Sequence, residues 1–286
     1  MRKIVLPTDF SENAFNALKY AAELFKYEYS IFFILHAYSE EVYNTSADFS
    51  EDKVNQRKTQ VQKSSRENLE RINKEILKYN PNPKHHYKTL SSFGLLVDEV
   101  NDLITKENAD IVVMGTRGKT NNKKKTFGSN TLQVIKYVQC PVLCIPLNYK
   151  YHSPEKILFP TNYMLPYERR ELKLVSEIAR RFCAELHLLY ISRFPGISLR
   201  QKYNQEFIKD VFKQIKLEFH NLDASDKEIA INGYLVENHM DLLVMVNSRQ
   251  TYLESFLAPS VIDKIGLKPK RPFLVLQNYN RQTQKE

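Results

Sequence analysis

The sequence predicts an α/β protein of two tandem domains, each a doubly wound, mainly parallel five-stranded sheet. Three observations carry this. Short continuous apolar runs alternate with stretches of helical periodicity, which is the pattern of a parallel sheet covered on both faces. The chain repeats itself. Its 286 residues are enough for two domains of ordinary size.

The repeat is legible in three places. KIVLPTDF (Lys3–Phe10) returns as KILFPTNY (Lys156–Tyr163), DIVVMG (Asp110–Gly115) as DLLVMV (Asp241–Val246), and CPVLCIP (Cys140–Pro146) as RPFLVLQ (Arg271–Gln277). The last two share one offset, and the first has a larger one, so the second copy is shorter in its middle. The polar stretch Asn148–Glu155, with its single Pro, joins the copies and sets the expected domains at 1–150 and 151–286.

In the first copy, KIVLP is a short buried strand. Ser11 then caps a helix whose apolar positions Phe15, Leu18, Ala22 and Phe25 recur at helical spacing. SIFFILHAY is the second strand. Residues 41–52 are acidic and expected as loop, a solvated segment that could also cover the mouth of a pocket. Residues 53–79 are polar with sparse apolar positions, Val61, Leu69, Ile72 and Ile76, which suits a long surface helix. NPNPK breaks it, and HHYKTL is a third strand. LLVDEVNDLITKEN is a helix, DIVVMG a strand, TLQVIKYV a helix and PVLCIP the closing strand.

Composition bounds the rest. No run approaches the roughly 18 apolar residues of a membrane span, and MRKIVLPTDF lacks the apolar core of a signal peptide. The expectation is a cytoplasmic protein. The net charge of +9 divides into +5 over residues 1–150 and +4 over 151–286. A spread excess attracts anions without choice, and with no aromatic-interleaved reader motif nucleic acid is not an expected partner. Cys140, Cys144 and Cys183 sit in apolar sequence and read as buried thiols. His85 and His86 read as partly exposed, and His36 as a core residue near the end of a strand. His187 and His239 have no partner at metal-ligand spacing, so no metal site and no catalytic residue is assigned.

The loop GTRGKTNNKKKTFGSN, Gly115–Asn130, holds three glycines, four lysines, one arginine and no acid. In a parallel sheet, ligands sit beyond the carboxyl ends of the strands. Asp9, Ala37 and Gly115 follow strands one, two and four and should share one rim. The loop ends where a helix starts, near Gly128-Ser129, which offers free backbone N–H groups and a positive dipole end to an anion. Ser129 adds a hydroxyl donor, and Arg117, Lys119, Lys123, Lys124 and Lys125 add local attraction. Gly118-Lys119-Thr120 imitates the end of a P-loop, but position 113 is Val where that motif needs Gly.

The spacing Gly115-x2-Gly118-x9-Gly128-Ser129, with LPTDFS near the start and CPVLCIP at the end, resembles a universal stress protein domain of the ATP-binding kind. The whole chain resembles the tandem form, with two Rossmann-like domains. The resemblance implies an ATP site, or one for another adenine nucleotide, with Mg where the phosphates share it. Pro7, Thr8 and Asp9 would line the adenosine end. Ala37 would meet the adenine edge through its backbone. Gly115 and Gly118, on either side of Thr116-Arg117, would pass beneath ribose and phosphates, and Gly128, Ser129 and Asn130 would hold the phosphates. It also implies a regulatory or stress-response role. The alternative is a slow ATPase or phosphotransferase. In this family closing strands commonly pair, so PVLCIP and PFLVLQ are expected to meet within one chain, leaving room for a homodimer of the whole.

The second copy departs from the pattern. Asp9 becomes Asn162, and Gly115, Gly118 and Gly128 align with Val246, Arg249 and Pro259, while Ser260 keeps its place. Side chains then crowd where backbone should meet phosphate, and Pro259 lacks an N–H. This copy is expected to keep the fold without the nucleotide site.

Overall fold

The structure, a computed structural model, describes residues 1–43, 50–118, 127–193, 196–247 and 270–278. The chain divides into two compact units, one ending at Tyr151 and the other beginning at His152.

The first unit runs β1 (Arg2–Pro7), α1 (Glu12–Leu24), β2 (Ser30–Ala37), α2 (Ser39–Tyr43), α3 (Glu51–Tyr79), β3 (His85–Ser92), α4 (Leu96–Glu107), β4 (Ile111–Gly115), α5 (Ser129–Tyr137) and β5 (Val142–Ile145). Its strands lie in the order β3-β2-β1-β4-β5, and every pair is parallel. Ile4, Val5, Ile111, Val112 and Val113 are wholly buried, as central strands of a sheet covered on both faces require. In α3 the buried residues are Val61, Ser65, Leu69, Ile72 and Ile76, one per turn along a single stripe.

The second unit runs β6 (Lys156–Pro160), α6 (Arg169–Phe182), β7 (Glu185–Ile191), α7 (Leu199–Val211), β8 (Leu217–Leu222), α8 (Lys227–Glu237), β9 (Leu242–Asn247) and β10 (Phe273–Gln277). Its order is β10-β9-β6-β7-β8, again with parallel pairs throughout.

The repeat extends to individual hydrogen bonds. The Lys3 N–H donates to Asp110 Oδ2 at 2.8 Å, and the Lys156 N–H to Asp241 Oδ2 at 2.9 Å. The turn after the first strand is also the same in both units. Thr8 N–H donates to Leu35 O and Thr161 N–H to Leu189 O, both at 2.9 Å. Phe10 N–H then reaches Thr8 Oγ1 at 3.0 Å, and Tyr163 N–H reaches Thr161 Oγ1 at 3.1 Å. Phe10 and Tyr163 both take left-handed backbone, φ 64° and 54°.

Three local expectations need correction. Residues 41–52 are not simply loop: Glu41 to Tyr43 complete α2, Glu51 and Asp52 open α3, and 44–49 lie outside the described residues. Val42 anchors the short helix by packing against Tyr38 and Val61, and Glu40 and Glu41 favour its N-terminal dipole end. His85 is buried, with Nε2 3.2 Å from Phe25 O, while His86 is exposed. Cys140 and Cys144 are buried, but Cys183 is exposed, because it caps α6 in left-handed backbone where the chain reverses.

His187, in β7, gives the second unit a pH dependence. Its Nδ1 lies 3.1 Å from the Tyr234 hydroxyl and 3.2 Å from His220 Nε2, and its Nε2 lies 3.5 Å from Glu185 Oε2. Burial lowers its pKa below the usual 6.5 and the neighbouring His220 lowers it further, against the pull of Glu185. A histidine held neutral in the folded state stabilises above its unfolded pKa and loses that contribution as pH falls through it. Thermal unfolding between pH 7 and 5.5 is therefore expected to show a falling midpoint for the second unit, with a flatter slope in His187→Leu; equal slopes in parent and variant would contradict this.

Candidate functional site

The parallel strands of the first unit bring Pro7, Ala37 and Gly115 to one rim, since Pro7 stands opposite Leu35 and Gly115 opposite Ile145. A cavity of about 620 Å³ opens there. Its wall takes Pro7, Thr8 and Asp9 from the end of β1, Ala37 from β2, Gly115, Arg117 and Gly118 from β4 and its loop, and Gly128, Ser129 and Asn130 from the start of α5. All ten residues singled out in the sequence thus line one space. Lys119, Thr120, Lys123, Lys124 and Lys125 lie outside the described residues.

The wall also contains residues that sequence reading did not assign. His36 and Met114 flank the strand ends, Glu40 and Glu41 come from α2, Arg57 from α3, and Gly94 and Leu96 from the entry to α4. His36 is a buried residue, as expected, and is also hydrogen-bonded: Nδ1 lies 2.9 Å from Ser65 Oγ and Nε2 3.3 Å from Glu41 Oε1. Asp9 is therefore not the sole acid of the rim. The acidic stretch after β2 was the only signal for Glu40 and Glu41. Nothing in the polar pattern of α3 distinguishes Arg57.

The turn after β1 is built by its own polar side chains. Asp9 Oδ1 accepts from the Ser11 N–H at 3.1 Å, and Ser11 Oγ accepts from the Ala14 N–H at 3.2 Å. Ser11 is thus the cap of α1, as its position suggested. Against this turn lies the loop after β4. A Cβ added to Gly118 would come within 2.5 Å of Asp9 Oδ2, and one added to Gly115 within 2.4 Å of Asn13 Nδ2. Gly115 is required by its close approach to the buried Asn13, whereas a Cβ at Gly118 would have to move only the end of the Asp9 side chain. Gly128 differs: its backbone is ordinary extended, φ −66°, and an added Cβ would meet nothing nearer than 3.7 Å.

That N-terminus is fastened to β4. Gly128 N–H donates to Thr116 O at 2.8 Å, and Thr131 Oγ1 donates to Gly115 O at 3.1 Å. The first amides of a helix have no intrahelical acceptor, and the Gly128 cap supplies no side-chain acceptor for them. They face a cavity whose wall also carries Arg117. Backbone donors and a positive dipole end at such a place suit phosphate.

Among the described residues of the second unit, side chains pack against the equivalent turn. Asn162 keeps the turn, its Oδ1 accepting from Met164 N–H at 3.0 Å. Tyr163 is buried with its ring 5.7 Å from that of Tyr190. From α7, Gln201 Nε2 donates to Asn162 O at 2.8 Å and Asn204 Nδ2 to Tyr163 O at 2.7 Å. By strand register Ile191 stands where Ala37 stands in the first unit. Val246 takes the place of Gly115, while Arg249, Pro259 and Ser260 lie outside the described residues.

No group of three or more metal-ligating side chains occurs among the described residues, and no described helix is long and apolar enough to cross a membrane. His187 does have a partner that its spacing concealed, His220 on the neighbouring strand.

Comparison with known proteins adds the following. The model of the universal stress protein family matches residues 1–146. Two universal stress proteins of Methanocaldococcus jannaschii are similar: one is 30% identical over 156 residues, covering 50% of this chain and 94% of that one, and another is 28% identical over 145 residues, covering 50% and 81%. A solved universal stress protein from Archaeoglobus fulgidus covers 96% of this chain and 98% of its own at a TM-score of 0.69 and 19% identity, a likeness of fold.

The glycine contacts rank three substitutions. Gly115→Ala drives a methyl group into the buried Asn13 and is expected to destabilise by roughly 1–3 kcal/mol, as overpacking does. Gly118→Ala displaces the flexible end of Asp9 at smaller cost, and Gly128→Ala leaves stability nearly unchanged. Denaturant unfolding checks the order; Gly128→Ala as costly as Gly115→Ala would overturn it.

Proposed function

The chain belongs to the universal stress protein family, and from that premise we propose that its first unit binds one adenine nucleotide, ATP foremost, and that the bound state serves a regulatory or stress-response role in the cytoplasm. One observation carries this reading: the spaced glycines, Asp9 and the start of α5 converge on a single cavity of about 620 Å³. That volume falls within the roughly 300–1,000 Å³ of small-molecule sites. Pro7, Thr8, Asp9 and the Ala37 backbone hold the adenosine. Gly115, Arg117 and Gly118 run beneath the ribose and phosphates, and Gly128, Ser129 and Asn130 hold the phosphate end. The second unit keeps the fold without this site, its rim taken by Tyr163, Tyr190 and Gln201.

Binding is favoured over catalysis on chemical grounds. Phosphoryl transfer needs a positioned metal and a group that orients the nucleophile. Of the three acids in the wall, Asp9 already spends Oδ1 on the Ser11 N–H and Glu41 lies against His36, which leaves Glu40 of α2. A Mg ion would be shared between the phosphates and Asp9, and slow ATP hydrolysis is the alternative reading.

Mass spectrometry of the purified protein, denatured to release small molecules, is expected to find an adenine nucleotide. Calorimetry is expected to give one ATP site per chain. Two equivalent sites, or no heat with any adenine nucleotide, would refute the proposal. If Lys123, Lys124 and Lys125 reach the phosphates, their triple substitution by Ala weakens ATP more than AMP, and the gap shrinks at high salt as screening rises; equal affinities at low salt would leave the backbone as the sole cradle.

A further inference from the structure

Asn13 is the one buried polar residue of α1, 3% exposed, and it sits under the loop after β4. Its Nδ2 donates to Arg117 O at 2.9 Å. Because that partner is a carbonyl, the orientation of the amide is settled and Oδ1 is the other atom. Oδ1 is buried and meets no donor among the described residues. A buried acceptor without a partner is a cost to folding, set against the bond that Nδ2 makes to the loop.

The internal repeat supplies a control. Gly115 must lack a Cβ for the Asn13 amide to fit, since the added atom would lie 2.4 Å from Nδ2. In the second unit both members of this pair are different. Val246 replaces Gly115, and the second residue after the helix cap, Asn13 in α1, is the exposed Arg170 in α6. The glycine and the amide are present together in the first unit, which has the cavity, and absent together from the second.

We propose that Asn13 is a positioning residue of the site, whose amide fastens the Arg117–Gly118 backbone to the start of α1 and so presents that stretch to the phosphates of the bound nucleotide. Asn13 does not itself line the cavity; it acts through the loop. The proposal rests on the nucleotide-binding reading for its consequence, while the fastening itself stands on the structure.

The test uses the full chain as parent, Asn13→Ala and Asn13→Asp. Asn13→Asp keeps the shape and removes the donor. Three quantities are read: amide hydrogen exchange of residues 115–118, the thermal midpoint without nucleotide, and ATP affinity by calorimetry. The expected result is faster exchange across 115–118 in both variants and ATP binding weaker by about tenfold in both, the equivalent of one good hydrogen bond, read at a temperature where the midpoints show every protein folded. Unchanged exchange overturns the proposal. So does an affinity within twofold of the parent in variants whose loop exchanges faster, which would mark a merely structural residue. A parent that binds no ATP refutes the nucleotide reading instead, and the exchange arm still decides whether Asn13 holds the loop.

Discussion

The first unit depends on how closely the loop after β4 approaches the start of α1. Asp9 and Asn13 reach the loop from one side, and Gly118 and Gly115 meet them with no side chain. The approach is possible because Phe10 takes left-handed backbone, φ 64°, and turns the chain sharply into α1. Hydrogen bonds from Gly128 and Thr131 then tie the start of α5 to the same loop. Residues 9–13 thereby meet residues 115–118 and 128–131, far off in sequence, at one rim. The proposed phosphate end of the ligand would meet there the amides and the dipole end of α5.

The second unit shows that topology alone does not make the site. Its strand order, its parallel pairing and even the turn after its first strand repeat those of the first. What differs is side-chain volume. Tyr163 and Tyr190 pack ring to ring, and Gln201 and Asn204 bond the backbone of the turn. Burying such rings stabilises a fold, and the first unit forgoes that burial around its cavity. The open crevice gives up burial that would stabilise the fold, a cost that the proposed nucleotide site would account for.

Much of this was legible in the sequence, and the exceptions share a cause. The buried strands announce themselves as continuous apolar runs, and the glycine spacing names the loop because glycine is rare enough here to be informative, 7 in 286 residues. Ten residues that line the cavity could be named because each adjoins a strand end or a helix start. Asn13, Arg57 and the pairing of His36 with Glu41 could not, since their roles arise from contacts between elements that periodicity does not order. The same holds for His187 and His220, which are 33 residues apart but stand on neighbouring strands. Cys183 reads as apolar by its neighbours, yet the reversal of the chain at the end of α6 turns it outward. Helix α2 was missed because so short a segment is held by contacts to other elements, Val42 packed against Tyr38 and Val61 and Ser39 Oγ donating to Gly94 O at 2.6 Å.

The most direct test of the central claim is a titration of the isotope-labelled chain with ATP, followed by backbone amide resonances. The account predicts that the largest shifts fall on Gly115, Gly118, Gly128, Ser129 and Asn130, with Asn162 and Val246 unmoved. Saturable shifts centred on the second unit, or none at the start of α5, would contradict it.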